Sequence, residues 1–283
     1  MISFGKQEYV SSLMEMWRLS FPNDPEKFVQ FYFSDIYTNE NTLVYLKNNK
    51  PAASLQILPY SIQIDKQIYQ TGYISGAMTH PDYRGEGLMS QLLNQAFEVM
   101  KERKHTFSFL IPQEEWLQSY YARFGYQKSF LTKESISLTP QHHYEETRQN
   151  NLNIYTSFDH LDLDAFYVTY ISFLKEKSHV VLKTKEQVQW ILEDLFLGNG
   201  VLFANNDGLA FTILQDQQVI VKEIFYDNQK TQSALLNTIA KTYPEKEIIL
   251  LNAGNKTSYY AGMVKSFNNI AFPDDTYMSL MMD

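Results

Sequence analysis

The ten residues His80-Pro81-Asp82-Tyr83-Arg84-Gly85-Glu86-Gly87-Leu88-Met89 lie between a strand-like run and a helix-like run. A helix start leaves about four backbone N–H groups unpaired and carries partial positive charge. Gly85 and Gly87 have no Cβ, so that backbone can close around an anion, and a pyrophosphate is the natural guest. Arg84 adds a charge beside it. A glycine turn that only caps a helix, with Arg84 in solvent, would use the same residues.

Downstream stands a second unusual cluster, Tyr120-Tyr121-Ala122-Arg123-Phe124-Gly125-Tyr126. Glu114 and Glu115 follow an apolar run and could accept a proton through water, or be plain loop carboxylates. Trp116 either lines a pocket or anchors a short helix. His80 and His105 could titrate near neutrality, or serve as a turn contact and a helix-end contact. His142-His143 resembles a metal pair but sits in a polar stretch with no third ligand in pattern, so no metal is expected.

The elements that must position these residues are readable from periodicity. Val10, Leu13, Met14, Met16, Trp17 and Leu19 fall at mostly helical spacing, and Asp24-Pro25 reads as a second helix start. Leu43–Leu46, Ala53–Ile64 and Ile68–Thr79 read as strands, with a turn at Asn48-Asn49-Lys50-Pro51. From Glu86 to Arg103 the apolar residues at 88, 89, 92, 93, 96, 97, 99 and 100 give a helix with one buried face and a basic last turn. Phe107–Ile111, ended by Pro112, is a short buried strand. The stretch 139–153 is polar and aperiodic and reads as a linker between a first domain, 1–138, and a second, 154–283.

The second half echoes the first. Val201–Ala204 followed by Asn205–Gly208 repeats strand and turn; Val219–Tyr226, Thr231–Tyr243 and Ile248–Leu251 then read as strand, helix and strand. Ser258-Tyr259-Tyr260-Ala261 repeats Ser119-Tyr120-Tyr121-Ala122 letter for letter, which together with the element order points to duplication. Where the first half has Arg84-Gly85-Glu86-Gly87, the second has Asp227-Asn228-Gln229-Lys230, with no glycine.

Bulk properties narrow the function. The 283 residues are 44% hydrophobic and 20% charged, a folded composition with material for one or two cores. A net charge of −8 disfavours nucleic acid and tolerates cationic amines, though it also serves simple solubility. With no cysteine, disulfides, thiolate nucleophiles and Cys-based zinc sites are excluded. The N-terminus has no long apolar run, and none approaches the roughly 20 residues of a membrane span. The expectation is a cytoplasmic protein with no membrane partner.

The glycine loop and the Tyr121–Tyr126 cluster together resemble the GNAT superfamily of N-acetyltransferases. Its loop reads Q/R-x-x-G-x-G/A and is followed by a helix, a strand and a short aromatic helix ending in glycine. Asp82 stands where the family usually has Gln or Arg; Arg84 and both glycines remain. The chain is more closely similar to the Eis-type (enhanced intracellular survival) acetyltransferases, through Arg84–Leu88 and Tyr121–Tyr126. That resemblance implies an α/β (α+β) fold of tandem GNAT domains, each a mixed, mostly antiparallel sheet flanked by helices. The second domain would be degenerate, and no sterol-carrier-like third domain would follow.

The resemblance also implies a function. The chain would be an acyltransferase moving an acetyl group from acetyl-coenzyme A, as co-substrate, to a small-molecule or peptide amine by direct attack. The loop residues Arg84, Gly85, Glu86, Gly87, Leu88 and Met89 would bind the pyrophosphate. Ala77, Met78 and Thr79 would pair with the pantetheine arm as an added strand does, with Phe107–Ile111 splaying away to admit it. Tyr121 would be the general acid. Adjacent helical residues point about 100° apart, so only one of Tyr120 and Tyr121 can readily face the sulfur. The second domain would wall the acceptor cleft and support a homo-oligomer. A non-catalytic acyl-coenzyme-A-binding sensor or scaffold is the alternative.

Overall fold

A computed structural model describes residues 1–138 and 152–281. The histidine pair His142-His143 and most of the linker stretch lie outside the described residues. The chain forms two compact units: Met1–Ser129 with Gly262–Asp274, and Phe130–Ala261 with the described residues from Asp275 onward.

In chain order the first half gives β1 (Ile2–Phe4), α1 (Val10–Ser20), α2 (Glu26–Phe31), a π-helical turn at Tyr32–Ile36, β2 (Thr42–Lys47), β3 (Lys50–Ile64) and β4 (Gln67–Thr79). Next come α3 (Leu88–Glu102), β5 (Phe107–Leu110), α4 (Glu115–Ala122), β6 (Gln127–Lys133) and β7 (Ile136–Leu138). The second half gives β8 (Asn153–Tyr155), α5 (Leu163–Lys175), β9 (His179–Leu182), α6 (Lys185–Leu197), β10 (Val201–Ala204), β11 (Gly208–Gln215) and β12 (Gln218–Tyr226). It closes with α7 (Gln229–Thr242), β13 (Glu247–Leu250) and β14 (Thr257–Ser266).

One sheet contains the run β1-β2-β3-β4-β5-β14-β6, and the other runs β7-β13-β12-β11-β10-β8. Both are mostly antiparallel. In the first, β4 and β5 are parallel, and the chain crosses between them through α3; in the second, β12 and β13 are parallel, joined through α7. A parallel step needs such a crossover, which is why a helix recurs at the same place in each half. Each sheet then takes its next strand from the other half of the sequence. Met263–Ser266 of β14 pair with Phe107–Leu110 of β5, and Ile136–Leu138 of β7 pair with Ile248–Leu250 of β13.

The letter repeat does not mark equivalent positions. Ser119–Ala122 lies in α4, while Ser258–Ala261 lies in the strand β14. The duplication is carried by the element order around α3 and α7, not by these four letters.

The core of the first unit explains its helix. Leu88, Leu92, Leu93, Ala96, Phe97, Val99 and Met100 of α3 are buried against Leu43, Ala53, Leu55, Ile57 and Ile74 of β2, β3 and β4. Fully burying a large apolar side chain contributes about 1.5–3 kcal/mol, so this face fixes the helix on the sheet. The helix start is thereby held at the end of β4, where the glycine loop lies.

Candidate active site

β4 is where the site begins. On one side it pairs with β3 along its length; on the other it pairs with β5 only through Thr71, Gly72 and Tyr73. The ladder with β5 stops at Tyr73, and β5 itself ends at Leu110, so among the described residues Ile74–Thr79 pair with no strand on that side. Ala77, Met78 and Thr79 lie on this stretch, with Met78 buried and the other two half-buried. The β3–β4 register shifts here: Ser54 opposes Met78 and Gln56 opposes Ser75, so Gly76 and Ala77 together face Leu55. Gly76 has φ +55°, a left-handed conformation that glycine adopts without strain. Such a bulge twists the strand and re-aims what it carries. An isolated glycine within a strand pattern is its only sequence signal.

The loop that leaves β4 is built to expose backbone. His80 Nδ1 accepts from the Asp82 N–H at 3.3 Å, tightening a short 3-10 turn at Pro81–Tyr83. Arg84 folds back, and its Nε donates to the Thr79 carbonyl at 3.2 Å. Gly85 and Gly87 have φ +83° and +77°, and a Cβ on either would meet no atom within 4 Å. The space above them is open. Gly87 caps α3 with no side-chain hydrogen bond, and the first turn holds no acidic residue. The N–H groups there therefore have no carboxylate competing for them. Glu86 could have opposed an anion, but Lys47 Nζ pairs with it at 2.6 Å while stacking over the Tyr83 ring at 4.6 Å. Leu88 buries its side chain in the core and so can serve a ligand only through its backbone, while Met89 is half-buried against the same cluster.

α4 brings the tyrosines to the same place. Tyr120, Tyr121, Leu88, Met89 and Ala77 share one apolar cluster. Ser90 in the first turn of α3 bonds the Tyr120 hydroxyl at 3.2 Å. Tyr121 is 7% exposed, its ring edge-on to Tyr120 and Tyr126 at 5.3 and 5.9 Å. Burial, with Tyr120 beside it, pushes its phenol up to about 12, so it stays protonated. The end of α4 is braced by β14: Lys265 Nζ donates to the Phe124 carbonyl at 2.6 Å. Sequence reasoning did not connect Lys265 to this site, because the contact depends on the exchanged strand.

Glu114, Glu115 and Trp116 are exposed; Trp116, at 68%, lines a cleft of about 500 Å³ with Ser119, Ala122, Lys128 and Met263. His105 is buried after α3, and burial lowers it to about 4. Among the described residues no group of three or more His, Asp or Glu is placed to hold a metal, and no helix is long and apolar enough to cross a membrane.

The second half differs at the decisive point. Where α3 starts uncapped, α7 starts with Asn228, whose Oδ1 accepts from the N–H groups of Lys230 and Thr231 at 2.9 and 3.0 Å. The helix N-terminus that could hold an anion is filled by a side chain, with Asp227 next to it.

Comparison with known proteins agrees with this geometry. Residues 2–129 match the family described as Acetyltransferase (GNAT) domain. No curated protein matches the sequence. Among solved structures, a probable N-acyltransferase of unknown function from Enterococcus faecalis has a TM-score of 0.76 at 14% identity, covering 94% of this chain and 72% of its own. A GCN5-related N-acetyltransferase from Kribbella flavida gives 0.72 at 14% identity, covering 94% and 71%. Eis1 from Mycobacterium abscessus gives 0.72 at 10% identity, covering 95% and 74%. At these identities the likeness is one of fold. The chain thus shares the GNAT fold of these proteins in two sheet bodies flanked by helices, and residues 2–129 match the GNAT acetyltransferase domain model.

Proposed function

We propose that the chain is an Eis-like N-acetyltransferase that carries an acetyl group from acetyl-coenzyme A to a primary amine, with all chemistry in the first unit. The observation that carries this reading is the uncapped start of α3, where Gly85 and Gly87 stand open with Arg84 beside them, set against the Asn228-capped start of α7. Backbone N–H groups at Gly87–Met89 would hold the pyrophosphate, and Arg84, anchored on Thr79, would add charge. The edge of β4 at Ala77–Thr79, beyond the end of its ladder with β5, would take the pantetheine arm. Acetyl-coenzyme A supplies an activated thioester. The bulge at Gly76–Ala77 would aim backbone N–H groups at its carbonyl as negative charge develops there. Tyr121, kept protonated by burial, would give its proton to the departing thiolate.

The acceptor is a small-molecule or peptide amine. The test is release of free thiol from acetyl-coenzyme A across a panel of aminoglycosides, polyamines, lysine peptides and small amines. Turnover with at least one amine supports transfer. Tight binding of acetyl-coenzyme A with no turnover on any of them would instead favour a sensor or scaffold.

A further inference from the structure

The strand bulge that the proposed chemistry needs is held by groups outside β3 and β4. Tyr32, in the π-helical turn after α2, is 1% exposed. Its hydroxyl donates to Gln56 Oε1 at 3.2 Å and lies 2.9 Å from Ser75 Oγ. A phenol has one proton to give, so with that proton on Gln56 the Ser75 hydroxyl is the donor to Tyr32. Gln56 and Ser75 are the cross-strand pair immediately before the register shift. One buried phenol therefore links both strands at the place where the ladder breaks, and all three polar groups are buried.

The other side of the bulge is closed by a ring. A Cβ on Gly76 would lie 2.8 Å from Trp17 Cζ3 and 3.5 Å from the Tyr32 hydroxyl. Trp17 and Tyr32 sit 4.4 Å apart, centroid to centroid, and Trp17 Nε1 donates to Asp24 Oδ2 at 2.7 Å. The Trp17 ring thus rests on the bulged glycine while the Tyr32 hydroxyl grips the residues beside it. A π-helical turn is often found at functional sites, since the extra residue rotates the side chains that follow. Here it falls at the residue that reaches the sheet.

We propose that Tyr32 is a positioning residue for acetyl transfer: by bridging Gln56 and Ser75 beneath Trp17, it sets the Gly76–Ala77 bulge and so aims the β4 backbone N–H groups at the acetyl carbonyl. This rests on the function proposed above. Tyr32 is buried away from the surface a cofactor would reach, so its loss is expected to leave cofactor binding intact and to weaken only the polarisation of the carbonyl. A misplacement near 1 Å in a preorganised site costs up to about 10²-fold in rate.

The test uses Tyr32→Phe and Ser75→Ala, which break the same chain of bonds at its centre and at one end, so one remains if the other fails to fold. Acetyl-coenzyme A labelled with 13C at the carbonyl is bound to the whole chain, and its carbonyl stretch is read by infrared difference spectroscopy. Affinity for acetyl-coenzyme A is measured alongside, and turnover is measured with any amine that the wild type accepts. The wild type is expected to lower the stretch relative to free acetyl-coenzyme A. Each variant should lose most of that lowering with affinity held within roughly threefold, while kcat falls about 10- to 100-fold and KM is little changed. The double variant should be no worse than either single one, since both cut one chain. A stretch still lowered in both variants overturns the proposal, as does a loss of affinity with the stretch unchanged. A wild type that binds acetyl-coenzyme A without lowering the stretch overturns the oxyanion role and this inference together. A wild type that does not bind it at all overturns the functional reading itself.

Discussion

Changing Tyr121 to Phe removes one oxygen and keeps the ring that packs edge-on to Tyr120 and Tyr126. The fold should hardly notice. On the proposed mechanism the chemistry should, because Tyr121 protonates the thiolate that leaves and so stops the reverse reaction. Loss of a general acid lowers a rate by about 10²–10⁴-fold, or roughly 3–5 kcal/mol of barrier. Tyr120→Phe is the matched control. It loses the 3.2 Å bond to Ser90, worth about 1 kcal/mol of stability, and should leave the chemical step within a few-fold. The assay is single-turnover thiol release with an accepted amine, beside the affinity for acetyl-coenzyme A, which neither change should move much. The pH profile adds a second check. A phenol of ordinary pKa would lose its proton near pH 10 and the rate with it. Tyr121, raised to about 12, keeps its proton there, so the wild-type rate should not fall through that region on this residue's account. The same burial raises a departing thiolate, which narrows the gap between donor and acceptor. If Tyr121→Phe retains a near-normal single-turnover rate, water or another group protonates the thiolate and the role is wrong.

Further outcomes follow from the same geometry. Gly76→Ala places a Cβ at φ +55° and 2.8 Å from the buried Trp17 ring, so it should cost roughly 2–4 kcal/mol by denaturant titration; a change under about 0.5 kcal/mol would contradict the clamp. Tyr260→Phe alters a residue 36% exposed on β14, in a strand rather than a helix despite the matching letters; kcat should hold within about twofold, and a hundredfold loss would place chemistry in the second half. His105, lowered to about 4 chiefly by burial with Arg103 as a lesser cause, is neutral in the fold, whereas the unfolded chain takes up a proton below its ordinary value of about 6.5. Stability should therefore be lost as pH falls from about 6.5 toward 4, by at most roughly 3 kcal/mol from this group. His105→Leu should flatten that window in denaturant titrations; an unchanged pH dependence would show that other groups carry it.

The parts of this molecule that obey local rules were legible in the sequence. The apolar spacing from 88 to 100 marked α3, and Gly85 and Gly87 marked a loop needing open backbone at its start. β4 and β5 were visible as apolar runs, but where their ladder stops, at Tyr73, is a matter of pairing, which no single strand reveals. The bulge was hidden for the same reason: Gly76 hints at it, yet its position depends on the register with β3 and on Trp17 and Tyr32, distant in sequence. The exchange of β7 and β14 is wholly non-local. It also misled the repeat. Ser-Tyr-Tyr-Ala is compatible with helix or strand, and tertiary context decides: after Glu115–Gln118 it continues a helix, while at 258–261 it leads into residues that pair with β5.

The central claim is one acetyl-coenzyme A site per chain, on the loop at Arg84–Met89. Titration calorimetry of the whole chain with acetyl-coenzyme A tests it, with Gly87→Trp as the variant, since a side chain there fills the open space at an unfavourable φ of +77°. One site per chain is expected in the wild type, with a sharp loss of affinity in Gly87→Trp. Two equal sites per chain, or an affinity that Gly87→Trp leaves unchanged, would contradict it.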